Sequence, residues 1–173
     1  MSSDLKIYRL AVCLYPGACV TDFQGPIELF CIFNTANRGP LAPFFKNLPN
    51  AAIEAEFLSH NAEPVPMMMG PKILPSMTYE EGLKKSWDII LVPGGELAVI
   101  NSVVIETDSV CTGTGPKDVP SDIHEFLKKK DSETEYVLSV CTGSWHLAYA
   151  GLLEGKRATT NKAFFNFVKV RRL

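Results

Sequence analysis

The chain alternates short apolar runs with amphipathic stretches, a pattern typical of βαβ units. Four runs rich in β-branched and apolar residues predict strands, at residues 7–15, 53–59, 88–92 and 135–140. The run at 88–92 has no polar alternation, which indicates a strand covered on both faces, as in a parallel sheet. Helices are predicted at residues 27–34, 79–85, 122–130 and 144–153. Because strands and helices alternate at this spacing, we expect an α/β fold with a doubly wound, mostly parallel sheet.

Three further segments complete the predicted topology. Residues 67–75, interrupted by Gly70-Pro71, favour a short hairpin or edge element, and residues 157–160 predict the start of another strand. Pro26 fits the first turn of the helix at 27–34. Residues 98–120 show no clear period, which indicates an irregular insertion within a single domain that spans residues 1–173.

Composition narrows the classes of partner. The 173 residues are 46% hydrophobic and 21% charged, as in an ordinary globular protein, and the net charge of −2 provides no basic field for nucleic acid. No apolar stretch is long enough to span a membrane, and the N-terminus lacks the pattern of a secretion signal. The five cysteines form neither a paired framework nor a metal-ligand spacing. We therefore expect a cytoplasmic domain with free thiols and no metal.

Cys141 is the best candidate for a nucleophile. It follows the predicted strand at 135–140 and precedes the predicted helix at 144–153, so its thiol lies at a strand-to-helix turn. Thiols at helix N-termini ionise more readily, and the thiolate is the reactive form. Gly143 permits a tight turn, as in the nucleophile elbow of α/β-hydrolases. The alternative is a buried structural cysteine.

Cys111 provides an internal comparison for Cys141. Both cysteines lie in the same pentapeptide, Ser-Val-Cys-Thr-Gly. The residues after Cys111 include Pro116 and Pro120, which are incompatible with the helix that would activate a thiol. The inference about Cys141 therefore depends on the helix that follows it and not on the pentapeptide.

Four other residues lie just past strand ends or in the first helix and could assist a nucleophile. Gly94 and Gly95 offer backbone amides to a developing negative charge, or form a plain turn. Asp22 and Glu28 could move a proton, although Asp22 could also be a helix cap and Glu28 a solvated helix residue. In parallel sheets, the carboxyl ends of the strands meet at one edge, so we expect a site there.

His146 is not expected to serve as the base. It follows Cys141 by five residues on the predicted helix, a rotation of about 500° that directs it away from the thiol. No Cys-His-acid triad is therefore evident, and protease or glutaminase chemistry has no visible base.

Three segments carry a resemblance to a known family, in the same order along the chain. They are Leu14-Tyr15-Pro16 with TDFQGPIE at 21–28, DIILVPGG at 88–95, and SVCTGSWHLAYAGLLEGKRATT at 139–160. The chain resembles the PfpI superfamily, whose fold is like that of class I glutamine amidotransferases, and within it the isonitrile hydratase-like proteins.

The resemblance implies a role for each matched residue. Cys141 would be the elbow nucleophile and Asp22 the acid that faces it, while Gly94, Gly95 and Thr142 would surround the oxyanion pocket. Glu28 and Gly143 would support the site. The implied reaction is cysteine-dependent hydration or hydrolysis of a small molecule, such as an isonitrile converted to an N-formamide, without a metal or organic cofactor.

The chain departs from the family in three ways, the first being a stretch between Gly95 and Cys141 that is longer than relatives usually have. Asn161 and Lys162 stand where many relatives carry a histidine and an aromatic residue, and the family domain continues past the segment at 158–160. We therefore expect a C-terminally truncated chain with an insertion near residues 98–118. The alternatives are a non-catalytic redox-sensing or interaction domain and an inactive truncated member, and a homodimer is also open.

Overall fold

A computed structural model describes residues 5–95, 120–163 and 165 of the chain. The strands are β1 (Lys6–Cys13), β2 (Ala51–Ser59), β3 (Val65–Pro66), β4 (Lys72–Ile73), β5 (Met77–Thr78), β6 (Ile89–Val92) and β7 (Tyr136–Ser139). The α-helices are α1 (Val20–Phe30), α2 (Thr35–Leu41), α3 (Tyr79–Gly82), α4 (Asp122–Lys130) and α5 (Gly143–Tyr149). Short 3-10 turns follow at Ala42–Phe44 and Asp131–Glu133.

The central sheet has the strand order β5-β2-β1-β6-β7, and each neighbouring pair is parallel. After β1 the chain first adds β2 on one side and later adds β6 on the other. The direction of growth therefore reverses between β1 and β6, and their carboxyl ends form the switch point where α/β proteins place their sites. The expected α/β fold with a mostly parallel sheet is confirmed.

The middle strands are buried on both faces, as the unbroken apolar run predicted. All four residues of β6 are buried, and the second half of β1 is fully inaccessible to solvent. Alternate residues point into two separate apolar clusters, one on each side of the sheet. Helix α4 covers one face with Ile123, Phe126 and Leu127, and α1 covers the other with Phe23.

The predicted bounds of the first helix were wrong. Helix α1 begins at Val20, and Pro26 lies inside it instead of in its first turn. The early start places Phe23 in the core, where its ring meets Phe57 edge-on. The helix also ends before residue 34, because the Asn34 side chain caps α2 by accepting the Asn37 amide at 2.8 Å.

Two predictions near the C-terminal end were also wrong. Helix α5 ends at Tyr149 because Gly151 adopts a φ of 82°. The Leu152 amide then donates to Leu147 and the Gly151 amide to Ala148, which is the hydrogen-bond pattern of a Schellman motif.

Residues 157–160 do not form a strand. The Thr160 hydroxyl donates instead to the carbonyl of Cys141 at 3.0 Å, which holds this segment against the turn after β7.

Other sequence predictions compare more simply with the structure. The hairpin is confirmed by the antiparallel pair β3–β4, with Gly70 at a φ of 97° between the two strands. Most of the predicted insertion at 98–120, with Cys111, lies outside the described residues. Within the described residues, no helix has the length and apolar character needed to cross a membrane.

Candidate functional site

The turn from β7 to α5 places Cys141 in a conformation that side chains rarely adopt. Its φ is 56°, and it is the only residue other than glycine with a positive φ in the described part of the chain. For a residue with a Cβ, this left-handed conformation costs about 1–2 kcal/mol. Gly143 makes the tight turn feasible, because a Cβ there would overlap the carbonyl oxygen of Val92 at the end of β6.

Two hydroxyl groups hold the backbone of Cys141 in this conformation. Thr160 Oγ1 donates to the Cys141 carbonyl at 3.0 Å, and Ser144 Oγ donates to the same oxygen at 3.4 Å. The half-buried thiol is therefore fixed by its surroundings, as expected where a sparsely populated backbone conformation persists.

Asp22 lies in the first turn of α1 and reaches across to the end of β6. Its Oδ2 accepts a hydrogen bond from the Gly94 amide at 3.0 Å. The Gly94 carbonyl in turn accepts from the amide of Cys19, the residue that precedes α1, at 2.8 Å. Asp22 is therefore not the cap of its own helix, and its carboxylate is directed toward the strand end.

Gly94 is the point on which the other site residues converge. The position that a Cβ would occupy there lies 2.6 Å from Asp22 Oδ2, 2.8 Å from Thr142 Oγ1 and 2.9 Å from Cys141 Cβ. The structure thus brings the carboxylate and the nucleophile candidate together around the side-chain position of one glycine.

The two glycine amides after β6 already have acceptors. The Gly94 amide donates to Asp22, and the Gly95 amide donates to Thr142 Oγ1 at 3.1 Å. In this arrangement the amides orient Asp22 and Thr142. The role of Gly94 and Gly95 in an oxyanion pocket stays a prediction.

Glu28 is not brought to this cluster. It is exposed on α1, where its Oε1 accepts a hydrogen bond from Gln24 Nε2 at 2.7 Å. Six residues separate it from Asp22, a rotation of about 600° that turns it to a different face of the helix. Its surroundings fit the alternative of a solvated helix residue.

Behind the turn lies a buried group of aromatic and imidazole rings. The Tyr15 hydroxyl donates to the Pro93 carbonyl at 2.9 Å, and its ring lies 4.4 Å from that of His146. Burial raises the pKa of Tyr15 well above its usual range, and the nearby Asp22 and Cys141 raise it further. Tyr15 therefore remains protonated, and its hydroxyl group holds the end of β6 through the hydrogen bond to Pro93.

His146 belongs to this buried group and does not contact the thiol through any described hydrogen bond. Its Nδ1 lies 3.2 Å from Nε2 of His124. Burial, and secondarily the neighbouring His124, lowers the pKa of His146 to about 3. The imidazole is neutral and directed toward His124, in agreement with the expectation that it is not the base.

Asn161 contacts the thiol of Cys141 directly, and the sequence analysis did not assign it a role. Its Nδ2 donates a hydrogen bond to Cys141 Sγ at 3.2 Å. The signal in the sequence was the replacement of a histidine by asparagine, which suggested only a loss. An amide side chain can donate to sulfur, so the replacement retains a donor at this position.

Metal-ligand groups are absent from the described residues, and a cavity among these residues lies apart from the site. No group of three or more His, Cys, Asp or Glu side chains is placed to hold a metal ion within the described ranges. A cavity of about 360 Å³ lies beside α3 and α4, and none of the site residues lines it.

Comparison with known proteins places the chain in a family. The model of the DJ-1/PfpI family matches residues 29–171, which include Gly94, Gly95 and Cys141 but not Asp22. An isonitrile hydratase from Pseudomonas putida is 27% identical over 160 residues, covering 92% of this chain and 55% of the relative. An uncharacterized protein from the cpoL 5′ region of Streptomyces lividans is 29% identical over 154 residues, covering 89% of this chain and 87% of the relative.

The fold of solved structures agrees with that assignment. A thiJ/pfpI family protein from Bacillus anthracis superposes with a TM-score of 0.67 at 16% identity, over 97% of this chain and 66% of that one. The chain thus spans about half the length of the isonitrile hydratase and two thirds of the Bacillus protein. Since the family model matches most of the sequence, the chain belongs to the DJ-1/PfpI family.

Proposed function

We propose that this protein hydrates a small isonitrile to an N-formamide, with Cys141 as the nucleophile and Asp22 as the proton donor. The observation that carries the proposal is the placement of a carboxylate and of a cysteine with a strained backbone around the side-chain position of Gly94. The 27% identity to an isonitrile hydratase supports the choice of substrate class. No metal or organic cofactor enters the proposed chemistry.

The first step forms a carbon–sulfur bond. The thiol proton of Cys141 passes to the Asp22 carboxylate, and the thiolate attacks the terminal isonitrile carbon. Addition places negative charge on that same carbon, and Asp22 returns its proton there. The product is a thioimidate in which the former isonitrile carbon carries one hydrogen, the sulfur and a double bond to nitrogen.

The second step consumes water. Asp22 accepts a proton from a water molecule as the oxygen adds to the thioimidate carbon, and then passes that proton to the nitrogen. The tetrahedral intermediate then breaks its carbon–sulfur bond, the hydroxyl proton returns to sulfur, and the N-formamide leaves. One water molecule is consumed for each isonitrile, and the thiol and carboxylate are regenerated.

The occupied glycine amides favour this chemistry over acyl transfer. A tetrahedral oxyanion needs open donors that are preorganised around it. In isonitrile addition the charge develops on carbon and is neutralised by a proton, so a carboxyl group beside the thiol is sufficient. Holding Asp22 by the Gly94 amide fixes the acid where that proton is required.

Turnover of a small isonitrile tests the proposal directly. The formyl proton of the product, followed by NMR, should appear with the unmodified protein. Cys141→Ala should abolish it, and Asp22→Asn should reduce the rate by about 10²–10⁴-fold, because the acid is lost while the shape is retained. Cys31→Ala, at a half-buried thiol beside the end of α1, should leave the rate unchanged.

Two results would contradict the mechanism. Formamide production by Cys141→Ala at the original rate would remove the nucleophile from the reaction. Failure of the folded, unmodified protein to convert any of a series of alkyl and aryl isonitriles would reject the substrate class.

A non-catalytic redox sensor is the second candidate function. The donor on Cys141 Sγ favours it, because a hydrogen bond to sulfur stabilises the thiolate and oxidation follows thiolate character. The buried Cys13, whose pKa burial raises strongly, is the built-in comparison. Mild peroxide that oxidises Cys141 selectively, in a protein with no isonitrile turnover, would support the sensor.

A further inference from the structure

The segment that contains Thr160 and Asn161 donates two hydrogen bonds to Cys141, one to its backbone carbonyl and one to its sulfur. Thr160 Oγ1 donates to the backbone carbonyl at 3.0 Å, and Asn161 Nδ2 donates to Sγ at 3.2 Å. Two adjacent residues, distant from Cys141 along the chain, therefore fix both the backbone and the sulfur of the nucleophile candidate.

The orientation of the Asn161 amide is set by a second hydrogen bond. Its Oδ1 accepts from the backbone amide of Ala163 at 2.9 Å, in a local turn of the Asx type. Because the oxygen is engaged on that side, the NH₂ group is the end directed at Cys141. The contact with sulfur is therefore a donated hydrogen bond and does not depend on an arbitrary choice between oxygen and nitrogen.

We propose that Asn161 acts as a fixed, non-titrating hydrogen-bond donor that positions the Cys141 sulfur and stabilises its thiolate. The proposal rests on the nucleophilic role of Cys141 proposed above. A hydrogen bond to an ionised acceptor is about twice as strong as one between neutral groups, so the amide favours the thiolate over the thiol. An amide accepts no proton at neutral pH, which leaves proton transfer to Asp22.

Three titratable groups near the sulfur come from the segment between β1 and the first turn of α1. Tyr15 follows β1, Cys19 precedes α1 and Asp22 belongs to α1, and the pKa of Tyr15 is raised by burial and then by Asp22, Cys141 and Cys19. Tyr15 remains protonated in the neutral range because of its burial. A substitution at position 161 that adds no charge leaves these three groups in place, so its effect on the thiol reports the donor itself.

Asn161→Asp is the informative variant. It keeps an oxygen for the Ala163 amide, so the local turn is preserved, but it replaces the donor by a negative charge facing sulfur. Asn61→Asp is its matched control. Asn61 forms the same turn in an exposed loop, with its Oδ1 accepting from the Glu63 amide at 2.9 Å.

The experiment measures the rate of Cys141 alkylation by iodoacetamide against pH, with peptide mass spectrometry to identify the site. In Asn161→Asp the pH midpoint should rise by about one unit or more, because a like charge beside the thiolate disfavours ionisation. At neutral pH the alkylation rate should fall about tenfold. Asn61→Asp should show the midpoint of the unmodified protein. Asn161→Ala, which removes the donor without adding charge, should give a smaller rise in the same direction.

The proposal is overturned if folded Asn161→Ala keeps the original midpoint, because a rise confined to Asn161→Asp would report only the added charge; folding is verified by circular dichroism. Alkylation requires no isonitrile, so it separates the two claims. A shifted midpoint in Asn161→Ala, for a protein without isonitrile turnover, supports the role of Asn161 and rejects the substrate. Turnover by the unmodified protein with an unshifted midpoint in Asn161→Ala does the reverse.

Discussion

The two strand-to-helix turns at the site differ in length and in backbone conformation. Residues 14–19 separate β1 from α1, and that turn carries Asp22 into the site on the first turn of a relaxed helix. Residues 140–142 separate β7 from α5, and there Cys141 must adopt a φ of 56°. The long turn positions a carboxylate by a hydrogen bond, whereas the short turn positions a thiol by backbone constraint.

This difference assigns distinct tasks to the two sides of the site. In the proposed reaction Asp22 exchanges protons with sulfur, carbon and water, so a single hydrogen bond from the Gly94 amide is enough to orient its carboxylate. The nucleophile benefits from a fixed position, since proximity and orientation supply much of a rate enhancement. We therefore expect substitutions and conditions that act on the short turn to have larger effects than matched changes at the long turn.

Acid should lower the free energy of unfolding through the two histidines that pack behind the short turn at residues 140–142. This is the largest effect that we expect. Burial lowers the pKa of His124 to about 4, and burial together with His124 lowers that of His146 to about 3. Since the unfolded chain binds these protons near pH 6.5, stability is full above that pH and is lost as the pH falls toward 4. Each histidine contributes a loss of about 1.4 kcal/mol per pH unit over this window.

Urea unfolding at pH 7, 6 and 5 measures this loss. Trp145 lies on α5 and its ring contacts both imidazole rings, so its fluorescence reports the unfolding of the region around the two histidines. A His146→Gln variant should have a shallower dependence on pH. An equal dependence in the variant and the unmodified protein would contradict the assignment to this histidine pair.

Gly143→Ala should destabilise the protein by about 3 kcal/mol. The added methyl group would overlap the backbone of β6, which cannot move aside as a flexible side chain could. Gly25→Ala, inside α1, is the control on the long-turn side. Apart from its chain neighbours and the backbone of its own helix, no atom lies within 4 Å of the position of its Cβ, so this change should stabilise the helix by about 0.5–1 kcal/mol.

Chemical denaturation of both glycine variants checks the sign as well as the size of the effect. Similar free energies of unfolding for the two variants would mean that the short turn tolerates a side chain at its helix start. The contrast between a constrained and a relaxed turn would then fail.

Cys141→Gly should raise the free energy of unfolding by about 0.5–1 kcal/mol while abolishing any thiol chemistry. Glycine adopts a positive φ without the cost borne by a residue with a Cβ. Cys19→Gly, at the start of α1 with a φ of −82°, relieves no such cost and should lower stability slightly. A fall in thermal midpoint for both variants would show that the backbone at Cys141 is not strained.

The sequence predicted the main strands and the strand-to-helix turn at Cys141 well because their signals are local. The unbroken run of β6 and the bounds of α4 follow from short-range apolar patterns, and both are confirmed. Helix α1 was misplaced because the burial of Phe23, a tertiary contact, overrode the usual preference of Pro26 for a first turn.

The partners of Cys141 were harder to predict than Cys141 itself. The contact between Asp22 and Gly94 joins residues far apart in sequence. The chain positions of Asp22 and Glu28 made both of them candidate acids, and only the resemblance to a family favoured Asp22. Asn161 was overlooked because its role depends on a segment that the pattern predicted as a strand, whereas the structure bends it over the Cys141 turn.

The missing side chain of Gly94 also has a consequence for engineering the site. Three segments that are distant in sequence are in contact there only because position 94 ends at its Cα. Each carbon added at that single position would drive the acid and the sulfur apart while leaving both of them in the protein. A short series of substitutions at position 94 would therefore work as a spacing scale, relating the separation of the two groups to the rate of their joint chemistry.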